Sequence, residues 1–193
     1  MIDFKPFDIL LVSGLPRSGT SLMMNVLGKG GVKLFIDNVR EANIDNPKGY
    51  FEEQRVKKLN EDNSWLDEAE GKALKVVSPL LPFLDLNYSY LVIFMRRDIN
   101  EIILSQKKMR TRRGVSISSS DDEEIKDTLE ESLAFTDLWL EGKNNIKKVD
   151  IFYKDLVNNP TQSLKPIDNI IKNFNLRASV KVIDQSLYRN RSK

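Results

Sequence analysis

Ile9-Leu10-Leu11-Val12 is a short apolar run closed by Ser13-Gly14, and beyond Leu15-Pro16-Arg17-Ser18-Gly19 the apolar residues Leu22, Met23, Val26 and Leu27 return at helical spacing. A run of that length with those flanks reads as a strand buried on both faces. The glycine-bearing segment reads as the turn that carries the strand into a helix from Ser18 to Leu27, stopped by Gly28, Gly30 and Gly31. A strand, a glycine loop and a helix in that order belong to a parallel α/β sheet, where each strand needs a crossover to reach the next.

The rest of the chain repeats the alternation. Strands are expected at Val32–Ile36, Leu74–Val77, Tyr90–Met95 and Lys148–Tyr153. Helices are expected over Phe51–Asn63, from Asp98 on a capping aspartate, over Asp121–Leu140 with an acidic first turn, and over Thr161–Phe174. Residues 37–48, with Asn46-Pro47, read as a loop. Residues 110–120 combine three arginines, a glycine and four serines, a composition that suits either a lid or a plain loop. Phe135, Leu138 and Trp139 are expected to pack in the core. The resulting fold is a three-layer α/β sheet with helices on both faces, like that of P-loop NTPases, in one domain over residues 1–193.

The loop itself has the chemistry of an anion site. Gly14 and Gly19 have the spacing of G-x-x-x-x-G-K-[ST], in which backbone N–H groups and a helix N-terminus cradle phosphate. Thr20 stands where that motif has Lys, Ser21 holds the hydroxyl position, and Arg17 brings positive charge three residues earlier. A loop without the Lys is poorly equipped for γ-phosphoryl transfer. Two absences narrow the chemistry further. There is no Cys, hence no thiolate and no Cys-bound zinc, and no His, hence no imidazole base or ligand. A general base must come from Asp, Glu, Lys, Tyr or water. With 30 basic and 28 acidic residues the net charge is +2, which gives no bulk attraction to nucleic acid. No apolar run approaches the ~18 residues of a membrane span, so a cytoplasmic protein is expected.

Pro16-Arg17-Ser18-Gly19-Thr20-Ser21 resembles, at every position, the first loop of the sulfotransferases that use 3′-phosphoadenosine 5′-phosphosulfate (PAPS), P-[KR]-S-G-T-[ST]. The resemblance implies that Arg17 helps the sulfuryl group leave the nucleotide, and that Ser18, Gly19, Thr20 and Ser21 wrap the 5′-phosphate. The family's 3′-phosphate motif is R-D-P with a Ser eight residues after the Arg. Here Arg97-Asp98-Ile99 follows a strand and Ser105 lies eight residues on, with Ile99 in place of Pro. By resemblance Arg97 and Ser105 hold the 3′-phosphate. Tyr153-Lys154-Asp155-Leu156 with Pro160 looks like the family's Y-E-D-L strand end, with Lys154 replacing the acid. The family's C-terminal G-x-x-G-x-x-K clamp is not found.

Asn46-Pro47-Lys48-Gly49-Tyr50-Phe51-Glu52 is similar to a stretch of bacterial sulfotransferases and points to Glu52 or Glu53 as the base, with Glu52 favoured and Asp37 and Glu41 as rivals. Lys75, on the strand before Ser78-Pro79, matches a family lysine that approaches the bridging oxygen. The implied activity is metal-independent, in-line transfer of a sulfuryl group from PAPS to a hydroxyl or amine of a small-molecule or carbohydrate acceptor. A P-loop kinase and a nucleotide-binding member that has lost catalysis are the alternative readings.

Overall fold

The computed structural model describes residues 1–44, 46–112, 114 and 122–188. Four parallel strands form one sheet in the order β2-β1-β3-β4: β1 (Ile9–Gly14), β2 (Ala73–Lys75), β3 (Tyr90–Arg96) and β4 (Ile146–Phe152). The helices are α1 (Thr20–Lys29), α2 (Ile99–Arg112), α3 (Asp122–Leu140), α4 (Tyr153–Asn158), α5 (Pro160–Ile170) and α6 (Leu176–Val180). Short 3₁₀ turns at Gln54–Lys58, Ser64–Ala69 and Ser78–Phe83 fill the long connections flanking β2.

The period of two in the strands divides the interior into two cores. Leu10 and Val12 of β1 and Leu91, Ile93 and Met95 of β3 face α1, α4, α5 and α6. Ile9 and Leu11 of β1 and Tyr90, Val92 and Phe94 of β3 face the 3₁₀ turns and Leu133 and Leu140 of α3. Strands buried on both faces are what a sheet covered on both sides requires, and β1 and β3 are of that kind, apolar over Ile9–Val12 and Tyr90–Met95. Among the described residues no helix is long and apolar enough to cross a membrane.

Three expectations are corrected. Residues 32–36 are not a strand of the sheet. They run beside β2 through a single bridge, Leu34 to Ala73, with two flanking backbone hydrogen bonds of 2.8 Å, and then leave. Residues 51–63 do not form an α-helix. Phe51 takes φ 52° and Glu53 is extended, so helical geometry starts only at Gln54, whose N–H donates to Asp37 Oδ2 at 2.7 Å. The residues through Glu53 thereby stay out of helical geometry. Phe135 and Leu138 are 60% and 70% exposed, because α3 turns only its Thr136 and Leu140 side fully inward; Trp139 alone of the three packs against the second core. The 110–120 segment falls largely outside the described residues, which show α2 continuing to Arg112.

Parallel strands bring all their C-terminal ends to one edge, where ligands of open α/β sheets bind. The residues that follow β1, β2, β3 and β4 are the loop Leu15–Gly19, the Val76-Val77 turn, Arg97 and Tyr153. The fold delivers all four to the same place.

Candidate functional site

The loop between β1 and α1 is held by three backbone conformations unusual for side chains. Gly14 has φ 139°, Arg17 φ 79° and Gly19 φ 107°. A Cβ on Gly14 would lie 2.7 Å from the Met95 carbonyl, and one on Gly19 would lie 2.5 Å from the ring of Tyr153. Both glycines are therefore demanded by space as well as by φ. Gly19→Ala should destabilise the chain by about 2–4 kcal/mol, the sum of left-handed strain and overpacking. Thermal unfolding reads this as a fall of roughly 5–12 °C, and an unchanged Tm would contradict the close approach of Tyr153.

Arg17 tolerates its left-handed backbone because both of its ends are anchored. Its Nε donates to Ser105 Oγ at 3.0 Å, across 88 residues of sequence. Its carbonyl accepts from Arg97 Nη1 at 3.0 Å. Arg97 is buried, donates through Nε to Glu101 Oε2 at 3.0 Å, and lies 4.4 Å over the Tyr153 ring. The other Glu101 oxygen accepts from Tyr188 Oη at 2.7 Å, and burial together with that acceptor pushes the Tyr188 hydroxyl up to about 12. Asp98 caps α2 by accepting from the Glu101 N–H at 3.1 Å.

On the other side of the loop, Lys75 leaves the end of β2 and is 7% exposed. It donates to the Tyr50 carbonyl, to Glu52 Oε1 at 3.1 Å and to Ser21 Oγ at 3.3 Å. Ser21 in turn donates to the Tyr50 carbonyl at 3.2 Å. Both Glu52 oxygens accept from Arg40 Nη1, at 3.1 and 3.2 Å, and the Arg40 guanidinium stacks 3.3 Å over the Tyr50 ring. Burial works against the charge on Glu52, but Lys75 and Arg40 overcome it and hold the carboxyl below its ordinary range. Burial wins at Lys75, whose ammonium is pushed down to about 8 despite Glu52.

The Lys75 shift has a signed consequence. Between about pH 8 and the ordinary lysine value of 10.5 the unfolded chain binds more protons than the folded one, so this group raises stability with pH across that window. Below about pH 8 the cost of burying the charge is fully present. Urea unfolding should therefore show the wild type gaining on Lys75→Met by about 2–3 kcal/mol as the pH is raised through this window. A stability difference that stays flat would mean that Lys75 carries its charge without penalty.

These groups share one cavity of about 470 Å³. Arg17, Gly19, Thr20, Ser21, Glu52, Lys75, Arg97 and Ser105 line it, together with Arg40, Tyr50, Val77 and Tyr153. Among the described residues its wall carries seven Lys or Arg side chains and two carboxylates, Glu52 and Asp184. Two expected members stand outside it. Ser18 is 1% exposed beneath the loop, its Oγ closest to where a Gly14 Cβ would be, and its N–H closes a turn on Leu15 at 3.0 Å. Glu53 points away, where it accepts from the backbone N–H and side chain of Arg55. Of the rival carboxylates, Asp37 is occupied with the N–H groups of Val39 and Gln54, and Glu41 is not in the wall.

Arg40, Glu101 and Tyr188 were not anticipated. Glu101 was open to view as the i+4 partner of Arg97 on a helix. Arg40 lies in a polar loop without periodicity, and nothing in the sequence singles it out.

No family model matches the chain, and no curated protein matches it. Solved structures do. A sulfotransferase domain from the curacin biosynthetic pathway superposes with a TM-score of 0.50 at 14% identity, over 96% of this chain and 92% of that one. An unliganded sugar kinase from Janibacter sp. HTCC2649 gives 0.41 at 13% identity, over 94% of this chain and 98% of that one. At such identities the likeness is one of fold, an α/β sheet of the P-loop type.

Proposed function

We propose that this chain is a sulfotransferase that moves a sulfuryl group from PAPS to a hydroxyl or amine. The observation that carries the reading is the bond from Arg17 to Ser105, which joins the two motifs of the sequence in the wall of one cavity that also holds Lys75 and Glu52. A surplus of cations suits a donor with a phosphosulfate and a 3′-phosphate. The donor supplies the sulfuryl group, whose bond to the 5′-phosphate oxygen breaks as its bond to the acceptor oxygen or nitrogen forms.

Each residue then has a task. The amides of the loop, Arg17 and Lys75 stabilise the departing 5′-phosphate, which keeps the electron pair of the broken bond. Glu52, already anionic, takes the acceptor's proton. Arg40 holds the Glu52 carboxylate in place as a positioning residue. Arg97 and Ser105 receive the 3′-phosphate. In Ser21, the hydroxyl that holds Mg²⁺ in nucleotide kinases is instead bonded to Tyr50 and Lys75.

The 3′ assignment is tested by Arg97→Ala. Affinity for adenosine 3′,5′-bisphosphate should fall roughly a hundred-fold, while that for 5′-AMP falls only a few-fold through the loosened Arg17 carbonyl. Equal losses for both ligands would remove Arg97 from the 3′ site.

A further inference from the structure

Ser21 stands where the groups assigned to the reaction meet the rest of the cavity. Its hydroxyl accepts from Lys75, which also holds Glu52. One turn farther along α1, ~6 Å from Ser21 along the axis and on the same face, Asn25 lines the same cavity, with Leu22 beside it at i−3. The adjoining wall is the turn Asn46–Gly49, closed by the Gly49 N–H on the Asn46 carbonyl at 3.1 Å. Three contacts fasten this turn to α1. The carbonyl of Tyr50, the next residue, accepts from Ser21 at 3.2 Å. Lys48 donates to the Val182 carbonyl at 2.8 Å, and Ser179, three residues before Val182, donates to the Val26 carbonyl of α1 at 2.9 Å. Asn25, Leu22, Asn46 and Pro47 therefore belong to one part of the wall, next to Glu52 and Lys75.

The chemistry of this part differs from that of the strand ends. Asn25 and Asn46 are both half-buried, and among the described residues neither carboxamide has a hydrogen-bond partner. A carboxamide donates and accepts without net charge. Charge is balanced here, since Lys48 lies 3.8 Å from Asp184, the second carboxylate of the wall. Neutral hydrogen bonding beside the carbon of Leu22 and Pro47 is what the hydroxyls and C–H faces of a sugar require.

We infer that the second turn of α1 and the Asn46–Gly49 turn form the acceptor subsite, and that the acceptor is an uncharged sugar. The inference rests on the donor reading above. Asn25 and Asn46 bond the hydroxyls that are not transferred to, Leu22 and Pro47 pack on the ring carbons, and the reacting hydroxyl is presented to Glu52. Selectivity comes from the two carboxamides, which an acceptor without neighbouring hydroxyls leaves unpaired.

The probes are the methyl glycosides of glucose, galactose and mannose, with methyl glucuronide as the anionic comparison, titrated into the full chain and read by saturation-transfer NMR. At least one neutral glycoside should bind saturably, and Asn25→Ala and Asn46→Ala should each weaken it roughly ten-fold. Both variants should keep their affinity for adenosine 3′,5′-bisphosphate within about two-fold, as separate sites do, which also shows that they fold. Absence of binding by all three neutral glycosides overturns the inference. So does glycoside binding that neither substitution weakens, or glucuronide binding ten-fold tighter than that of the glucoside. The two readings fail separately. Glycoside binding lost in Asn25→Ala, in a chain that does not bind the bisphosphate, removes the donor reading and leaves the sugar subsite. Bisphosphate binding without glycoside binding does the reverse.

Discussion

Glu52→Gln is expected to lower kcat for sulfuryl transfer by ~10²–10⁴-fold, the range over which a positioned general base acts. The substitution keeps the shape of the side chain and its acceptor oxygen toward Lys75 and Arg40, so the loss falls on kcat more than on KM. Glu52 is well placed for the task because its segment is not helical where the spacing suggested a helix, and its carboxylate meets Lys75 at 3.1 Å. The same carboxylate is a weak base at rest, held below its ordinary range by two cations. In the proposed reaction Lys75 turns to the leaving oxygen, which raises the basicity of Glu52 and couples proton uptake to departure of the leaving group. Turnover of Glu52→Gln within about two-fold of wild type would take the proton acceptor away from this residue. Glu53→Gln serves as the control, expected to keep turnover because that side chain faces Arg55.

Arg17→Ala is expected to cost ~10²–10³-fold in kcat/KM, the effect of deleting one preorganised donor to developing negative charge. Affinity for adenosine 3′,5′-bisphosphate should fall with it, since Arg17 also fixes Ser105 in the cavity wall. Arg17→Lys separates the two contributions. It retains the charge but loses the guanidinium fork, so it should recover part of the rate without restoring the bond to Ser105. Full activity in Arg17→Ala, measured at saturating donor, would show that the loop acts as a turn alone.

How much of this was legible beforehand depends on whether the determinant was local. The strand, loop and helix from Ile9 to Lys29 are coded by apolar spacing and two glycines, and they stand as read. β3 and α3 are also plain from apolar runs and periodicity. Val32–Ile36 misleads because a β-rich run beside a three-residue strand finds only one bridging partner. Phe51–Asn63 misleads because Asp37, which caps the turn at Gln54, is 17 residues away. Phe135 and Leu138 look like core because hydrophobicity alone does not say which side of α3 meets the sheet. In the site, the cationic loop and Arg97 are local motifs, whereas the Arg40–Glu52–Lys75 cluster joins three segments that only the fold brings together. The sequence favours Glu52 over Glu53 without a structural reason, because which of two neighbouring carboxylates faces the cavity turns on backbone geometry that no propensity records.

The most direct test of the central claim is a calorimetric titration of the purified chain with adenosine 3′,5′-bisphosphate beside ATP, each with and without Mg²⁺. Micromolar binding of the bisphosphate is expected, much tighter than that of ATP and indifferent to Mg²⁺. Tighter binding of ATP in the presence of Mg²⁺ would contradict it, and would leave the resemblance to sulfotransferases as a shared loop on a kinase.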